Sequence, residues 1–233
     1  MAALISRTRR SRSSVSGHPI SPLALADGEK PIVYIVDDDA SLRDALGRLF
    51  RSVGLQVQLF GSGPELLQNK LAGAASCLVL DIRLPGVSGL DFQSELAIAN
   101  IHIPIIFMTG HGDIPMCVRA MKAGAIDFLT KPFRDQDMLD VVALALNRDR
   151  KRREHESAKS DLLARFESLS PREREIMSLV STGLMNKQIA AETNLAEITV
   201  KIHRGHVMKK MTARSLADLV RMAEILEIRS GER

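Results

Sequence analysis

The 233-residue chain has no tryptophan, one tyrosine and only two cysteines. Two thiols, Cys77 in an apolar run and Cys117 in a helical pattern, cannot form a disulfide framework and read as buried reduced thiols of a cytosolic protein. No window approaches the roughly 18 consecutive apolar residues of a membrane span, so the chain is expected to be soluble, with no membrane partner. Acidic residues are missing from two stretches that are rich in basic ones. Before Asp27 there is none, while Arg7, Arg9, Arg10, Arg12 and several serines fill the segment. It cannot bury enough apolar surface to offset its ordering entropy, so 1–29 is expected to be a disordered basic tail; an Arg- and Ser-rich targeting peptide is the rival reading. The second acid-free stretch, Thr199 to Arg214, holds five Lys or Arg. The formal net charge of +4 permits a nucleic-acid partner without demanding one, so the distribution of charge must decide.

What is present from Pro31 onward alternates between short apolar runs and helical periodicity. The runs Ile32–Val36, Val57–Phe60, Cys77–Asp81, Ile105–Thr109 and Ala125–Leu129 read as strands. Helical patterns lie between them, around Leu42–Phe50, Pro64–Leu71, Leu90–Ala99 and Asp113–Ala123, and a last one spans Gln136–Asn147. Parallel strands need right-handed helical crossovers, so the pattern predicts a doubly wound (βα)5 parallel sheet over 30–147. Arg148 to Glu156 is a mixed-charge run with no apolar face and reads as part of a charged segment over 148–166, either a solvated helical extension or a loose tether between two domains. An all-α domain is expected over 167–229.

In a doubly wound sheet the carboxyl ends of the strands meet in one crevice. Asp37 and Asp38 end the first strand, Asp81 the third and Thr109 the fourth, and Lys131 follows the fifth. Three carboxylates in one small site raise each other's pKa unless a cation is present. Mg2+ is the simplest resolution, because it takes one or two carboxylates, keeps waters and accepts phosphoryl oxygens. With Lys131 and Thr109 as donors, the constellation suits phosphoryl transfer onto a carboxylate nucleophile.

These residues, with Thr109-Gly110-His111-Gly112-Asp113 and Lys131-Pro132, resemble the receiver domain of two-component response regulators, closest to the FixJ type. The resemblance implies that Asp81 accepts phosphate from a sensor histidine kinase and that Asp37, Asp38 and the Arg83 carbonyl help hold Mg2+. It implies that Thr109 and Lys131 contact the phosphoryl group and that Lys131-Pro132 is cis. Phe128 stands where the family has its switch aromatic, and Met116 to Leu129 would supply a dimer contact on phosphorylation. Asp39 is expected to cap the helix that follows it.

Ser170-Pro171-Arg172-Glu173 is a strong helix start, combining a capping box with proline at the first helical position. A helix from about Asn186 to Glu192, a turn and a longer helix from Glu197 to Met211 suggest a helix-turn-helix. On the longer helix Val200, Val207 and Met211 share one face, and Ile198, Ile202, Gly205 and Lys209 lie opposite, flanked by Lys201 and His206. An outward Ile and a mid-helix Gly fit insertion into a DNA major groove better than a plain solvated face. Leu169 to Met222 resembles the LuxR-type effector domain of the NarL and FixJ regulators. That likeness implies Lys201, Ile202 and Gly205 facing bases and Asn186, Lys187 and Lys209 on phosphates; Thr199 and Arg204 are the remaining candidates. Ala196 departs from the family's Ser or Thr cap, at a cost of about 1 kcal/mol to the first turn.

The expected protein is a phosphorylation-activated DNA-binding transcription regulator, acting as a dimer with a sensor histidine kinase, double-stranded DNA and RNA polymerase as partners. As a whole the chain looks like a nodulation regulator among the FixJ relatives. The rival reading is a Mg2+-dependent phosphohydrolase of the haloacid-dehalogenase type, with Asp37 as nucleophile and Asp39 as acid.

Overall fold

The computed structural model describes residues 30–110 and 114–228; the basic tail, His111 to Asp113 and the last residues from Arg229 lie outside the described residues. The first domain runs β1 (Ile32–Val36), α1 (Ala40–Ser52), β2 (Gln56–Phe60), α2 (Gly63–Leu67), β3 (Ser76–Asp81), α3 (Gly89–Ile98), β4 (Ile105–Thr109), α4 (Ile114–Lys122), β5 (Asp127–Thr130) and α5 (Asp135–Glu167). The second contains α6 (Pro171–Ser181), α7 (Asn186–Thr193), α8 (Glu197–Lys210) and α9 (Leu216–Ile225).

The five strands form one parallel sheet in the order β2-β1-β3-β4-β5. Strand alternation sends Tyr34, Val36, Leu78 and Leu80 to one face, against Phe92 and Leu96 of α3. Val33, Ile35, Cys77 and Val79 go to the other face, against Phe50 of α1 and Val142 and Leu146 of α5. Burying each of these side chains contributes roughly 1.5–3 kcal/mol, which is why β1 and β3 tolerate no polar interruption. The chain winds outward in opposite directions from β1 and β3, so their carboxyl ends flank the crevice where such sheets bind ligands. Gly89 closes one wall: a Cβ there would lie 2.5 Å from the Asp81 carbonyl oxygen, so only glycine lets α3 start this close to β3.

Two elements differ from expectation for local reasons. α2 ends at Leu67, because Leu71 and Ala72 belong to a loop packed on the core, where the Ala72 amide donates to the Tyr34 hydroxyl at 2.9 Å. β5 begins at Asp127, because the Ala125 amide is spent on closing α4 through the Ala120 carbonyl.

The larger correction concerns the charged run. It is helical, not a loose tether, and continuous with α5, which runs as one 33-residue helix about 50 Å long at 1.5 Å per residue. Its charges are not all solvated. Asp149 is fully buried at the amino end of β3. One carboxylate oxygen accepts from the Ser76 amide at 2.9 Å and from Arg153 Nε at 2.7 Å, and the other accepts from Arg152 at 2.6 Å. Arg153 also donates to the Gly73 carbonyl at 2.7 Å. The arginines three and four residues after Asp149 thus neutralise a buried carboxylate that fastens α5 to the sheet.

In the helical domain, Leu162 of α5 joins Ile176, Met177, Val180, Ile189, Val200, Val207 and Leu219 in one core. The expected capping box opens α6: the Ser170 hydroxyl accepts from the Glu173 amide, and Glu173 accepts from the Ser170 amide at 2.8 Å. Lys210 reaches the same carboxylate at 2.6 Å. The Lys210 bond, followed by the Ser170 amide, draws the Glu173 carboxyl down to about 2.

Asp149→Ala leaves the Ser76 amide and two arginines without their partner, and denaturant unfolding of the α/β domain should show a loss of about 3–5 kcal/mol. A depressed carboxyl pKa stabilises the fold above its ordinary value and ceases to do so as the group is protonated. The melting temperature of the helical domain should therefore fall between pH 4.5 and about 2 through Glu173, and Glu173→Gln should remove that part of the acid limb.

Candidate functional site

The crevice collects residues from the ends of β1, β3, β4 and β5. Asp37, only 1% exposed, lies just past β1, and its Oδ1 accepts from the Asp39 amide at 2.8 Å. Asp81 closes β3 with its Oδ1 accepting from the Arg83 amide at 3.1 Å. Lys131, one residue beyond β5, places its Nζ 2.8 Å from Asp37 Oδ2 and 2.7 Å from Asp81 Oδ2. Its backbone amide donates to the Thr109 carbonyl at 2.7 Å, tying the loop after β5 to the end of β4, and its bond to Pro132 is cis. Thr109 is fully buried, one residue past the Asp81–Met108 pair of the ladder.

Carboxylate oxygens of Asp37, Asp38 and Asp81 lie within 4.8 Å of one another. Burial pushes the Asp37 carboxyl above its ordinary value, and the bonds from Lys131 and Asp39 only partly oppose it. Burial works to lower the Lys131 pKa, but its bonds to Asp37 and Asp81 outweigh that and raise it. The pocket thus has more carboxylate than one ammonium ion neutralises, and its oxygen donors fit a hard divalent cation such as Mg2+.

The neighbours have separate work. Asp39 caps α1, its Oδ1 accepting from the Ser41 and Leu42 amides at 2.9 and 3.2 Å. Phe128 is half-buried against the core. Arg43 was not anticipated: from α1 it donates to the Asp37 carbonyl at 2.5 Å. Only its position one turn into the helix after the acidic triplet hinted at that contact. His111 to Asp113, part of the motif quoted above, lie outside the described residues.

The second candidate surface is α8. Val200, Val207 and Met211 are fully buried beneath it, while Ile198 and Ile202 are 64% and 51% exposed. Gly205 faces open space, so nothing inside the fold requires a glycine there. Lys201 and Lys209 are exposed on α8, Lys187 is exposed on α7, and Thr199 is half-buried. Arg204 is turned aside: it donates to Asn186 Oδ1 at 2.7 Å, bracing α8 against α7, so these two expected contacts hold each other. No side chain caps α8 at Ala196, as the sequence predicts.

Both halves match known families. Residues 33–143 match the response regulator receiver domain, and residues 167–223 match the LuxR family of bacterial regulatory proteins. Nodulation protein W of Bradyrhizobium diazoefficiens is 67% identical over 199 residues, covering 85% of this chain and 88% of that relative. The solved response regulator StyR superposes with a TM-score of 0.77 at 47% identity, covering 84% of this chain and 98% of StyR. Full-length FixJ from B. japonicum gives a TM-score of 0.51 at 39% identity, covering 85% of this chain and 98% of FixJ. The receiver and LuxR matches, with relatives of this identity over more than four fifths of the chain, make it a member of the FixJ/NarL-type two-component response regulators, a family of phosphorylation-activated DNA-binding transcription regulators.

Proposed function

We propose that Asp81 is the phosphoacceptor and that its modification by a sensor histidine kinase controls promoter binding through α8. The observation carrying this reading is the Lys131 ammonium, which bridges Asp37 and Asp81 at the mouth of the crevice. An Asp81 carboxylate oxygen attacks the phosphorus of a phosphohistidine. The new O–P bond forms as the P–N bond breaks, and the imidazole departs. Lys131 gives up its bond to Asp81 for the phosphoryl oxygens, and the Thr109 hydroxyl donates to the same group. Asp37, Asp38, Asp81 and the Arg83 carbonyl would hold Mg2+, which supplies charge neutralisation for the transferring group. No other turnover is assigned to the chain beyond loss of that phosphate.

Phe128 and Thr109 then form the switch. Ile114, Val118 and Met121 on α4 are exposed apolar residues and support a dimer contact between phosphorylated receivers over Met116 to Leu129. The units are a receiver over 30–147, a connecting helix over 148–166 and a DNA reader over 167–229. In the reader, Lys201, Ile202 and Gly205 face bases, Lys187 and Lys209 contact phosphates, Thr199 borders them, and Asn186 and Arg204 position α8. A cytoplasmic transcription activator of this kind has RNA polymerase as a further partner, and the likeness to Nodulation protein W supports a role in nodulation.

Asp81→Asn should abolish labelling from a phosphohistidine donor, as should chelation of Mg2+; full labelling of that variant would contradict the assignment. Lys209→Ala should weaken promoter binding and reduce the salt slope by about 1. Unchanged binding after removing both Lys201 and Lys209 would contradict the groove assignment.

A further inference from the structure

Outside the acidic crevice, a second cluster of metal-ligating side chains lies in the DNA-reading domain. Glu173 of α6 and His203 and His206 of α8 bring one carboxylate oxygen and one nitrogen from each ring within 4.8 Å of one another. We propose that these three residues bind one divalent transition-metal ion of the zinc class.

The chemistry of the set is selective. Two imidazoles and one carboxylate suit Zn2+ and its neighbours, whereas Mg2+ prefers an all-oxygen site. The carboxylate is already oriented for the task. Glu173 Oε2 is occupied by the Ser170 amide at 2.8 Å and Lys210 Nζ at 2.6 Å. Oε1 is turned toward His206 Nδ1 at 3.5 Å. Hydrogen bonds to the second oxygen of a ligating carboxylate are the usual way such a ligand is held in place. Tetrahedral zinc with bonds of roughly 2.0 Å places its ligands about 3.3 Å apart, so the Glu173–His206 edge is close to the needed length.

The two rings stand one turn apart on α8, their planes at 89° and their centroids 6.3 Å apart. His203 has a buried Nδ1 with no hydrogen-bond partner, so the ring is not committed to a structural bond through that atom. The His206 side chain is 57% exposed and gives an ion access from solvent, leaving a fourth position for water. The plainer reading, a structural glutamate paired with Lys210, accounts for Oε2 but not for His206 at Oε1 with the His203 ring in the same cluster. A bound ion would pin α8 to α6 beside Gly205, on the helix that faces DNA, and so make promoter binding responsive to metal.

The test is a Co2+ titration of the full-length chain in saturating Mg2+, which fills the receiver carboxylates. A visible ligand-field band should grow to one Co2+ per chain and disappear when Zn2+ is added. In His206→Ala, an exposed position whose variant should keep its helical circular dichroism, the apparent affinity should fall by more than about tenfold. Zn2+ should also shift the imidazole NMR signals of His203 and His206. Absence of the band, an unchanged titration in His206→Ala, or unmoved His203 and His206 signals would each overturn the proposal.

Discussion

The ammonium of Lys131, held between Asp37 and Asp81, is the interaction on which the rest of the receiver depends. Two buried or nearly buried carboxylates at the ends of adjacent strands repel each other and resist ionisation. The fold meets that demand with one lysine delivered by the loop after β5, itself tied to β4 through the Thr109 carbonyl. The ends of β1 and β3 are therefore linked to the loop after β5 through one positive charge, and the end of β4 through the backbone amide of the same residue. A phosphoryl group on Asp81, the acceptor proposed above, would alter that balance, because it would compete directly for Lys131 and bring additional negative charge.

A charge change in the crevice must act on a reader joined by α5. The helix is continuous from Asp135 to Glu167 and is fastened to β3 by buried Asp149. Its far end contributes Leu162 to the core of the helical domain, and Arg165 bonds the Thr212 hydroxyl at 2.6 Å. The connection is structured along its length, so a shift of α5 against the sheet has a covalent, helical route toward the DNA-binding helices.

Much of this was legible in the sequence because the determining interactions are local. The uninterrupted runs of β1 and β3 announce strands covered on both faces. Asp39 and Ser170 lie within three residues of the amides they cap, and the spacing of Val200, Val207 and Met211 separates the inner face of α8 from its outer one. The failures share the opposite property. Asp149 reads as one more charge in a solvated run, and only its bond from the Ser76 amide, 73 residues away, together with the Arg153 bond to the Gly73 carbonyl, reveals the buried site. The bond between Asn186 and Arg204 is likewise set by the packing of α7 on α8 and is not announced by their spacing in the sequence. Glu173 reads as a capping residue, and nothing in its neighbourhood of the sequence announces the two histidines that gather beside its carboxylate.

The central claim is that charge at Asp81 governs the affinity of α8 for DNA. Binding isotherms of the full-length chain on promoter DNA, recorded before and after phosphotransfer in the same buffer, test it directly. Tighter and more cooperative binding is expected after transfer; superimposable isotherms from a fully phosphorylated sample would mean that charge at Asp81 does not reach α8.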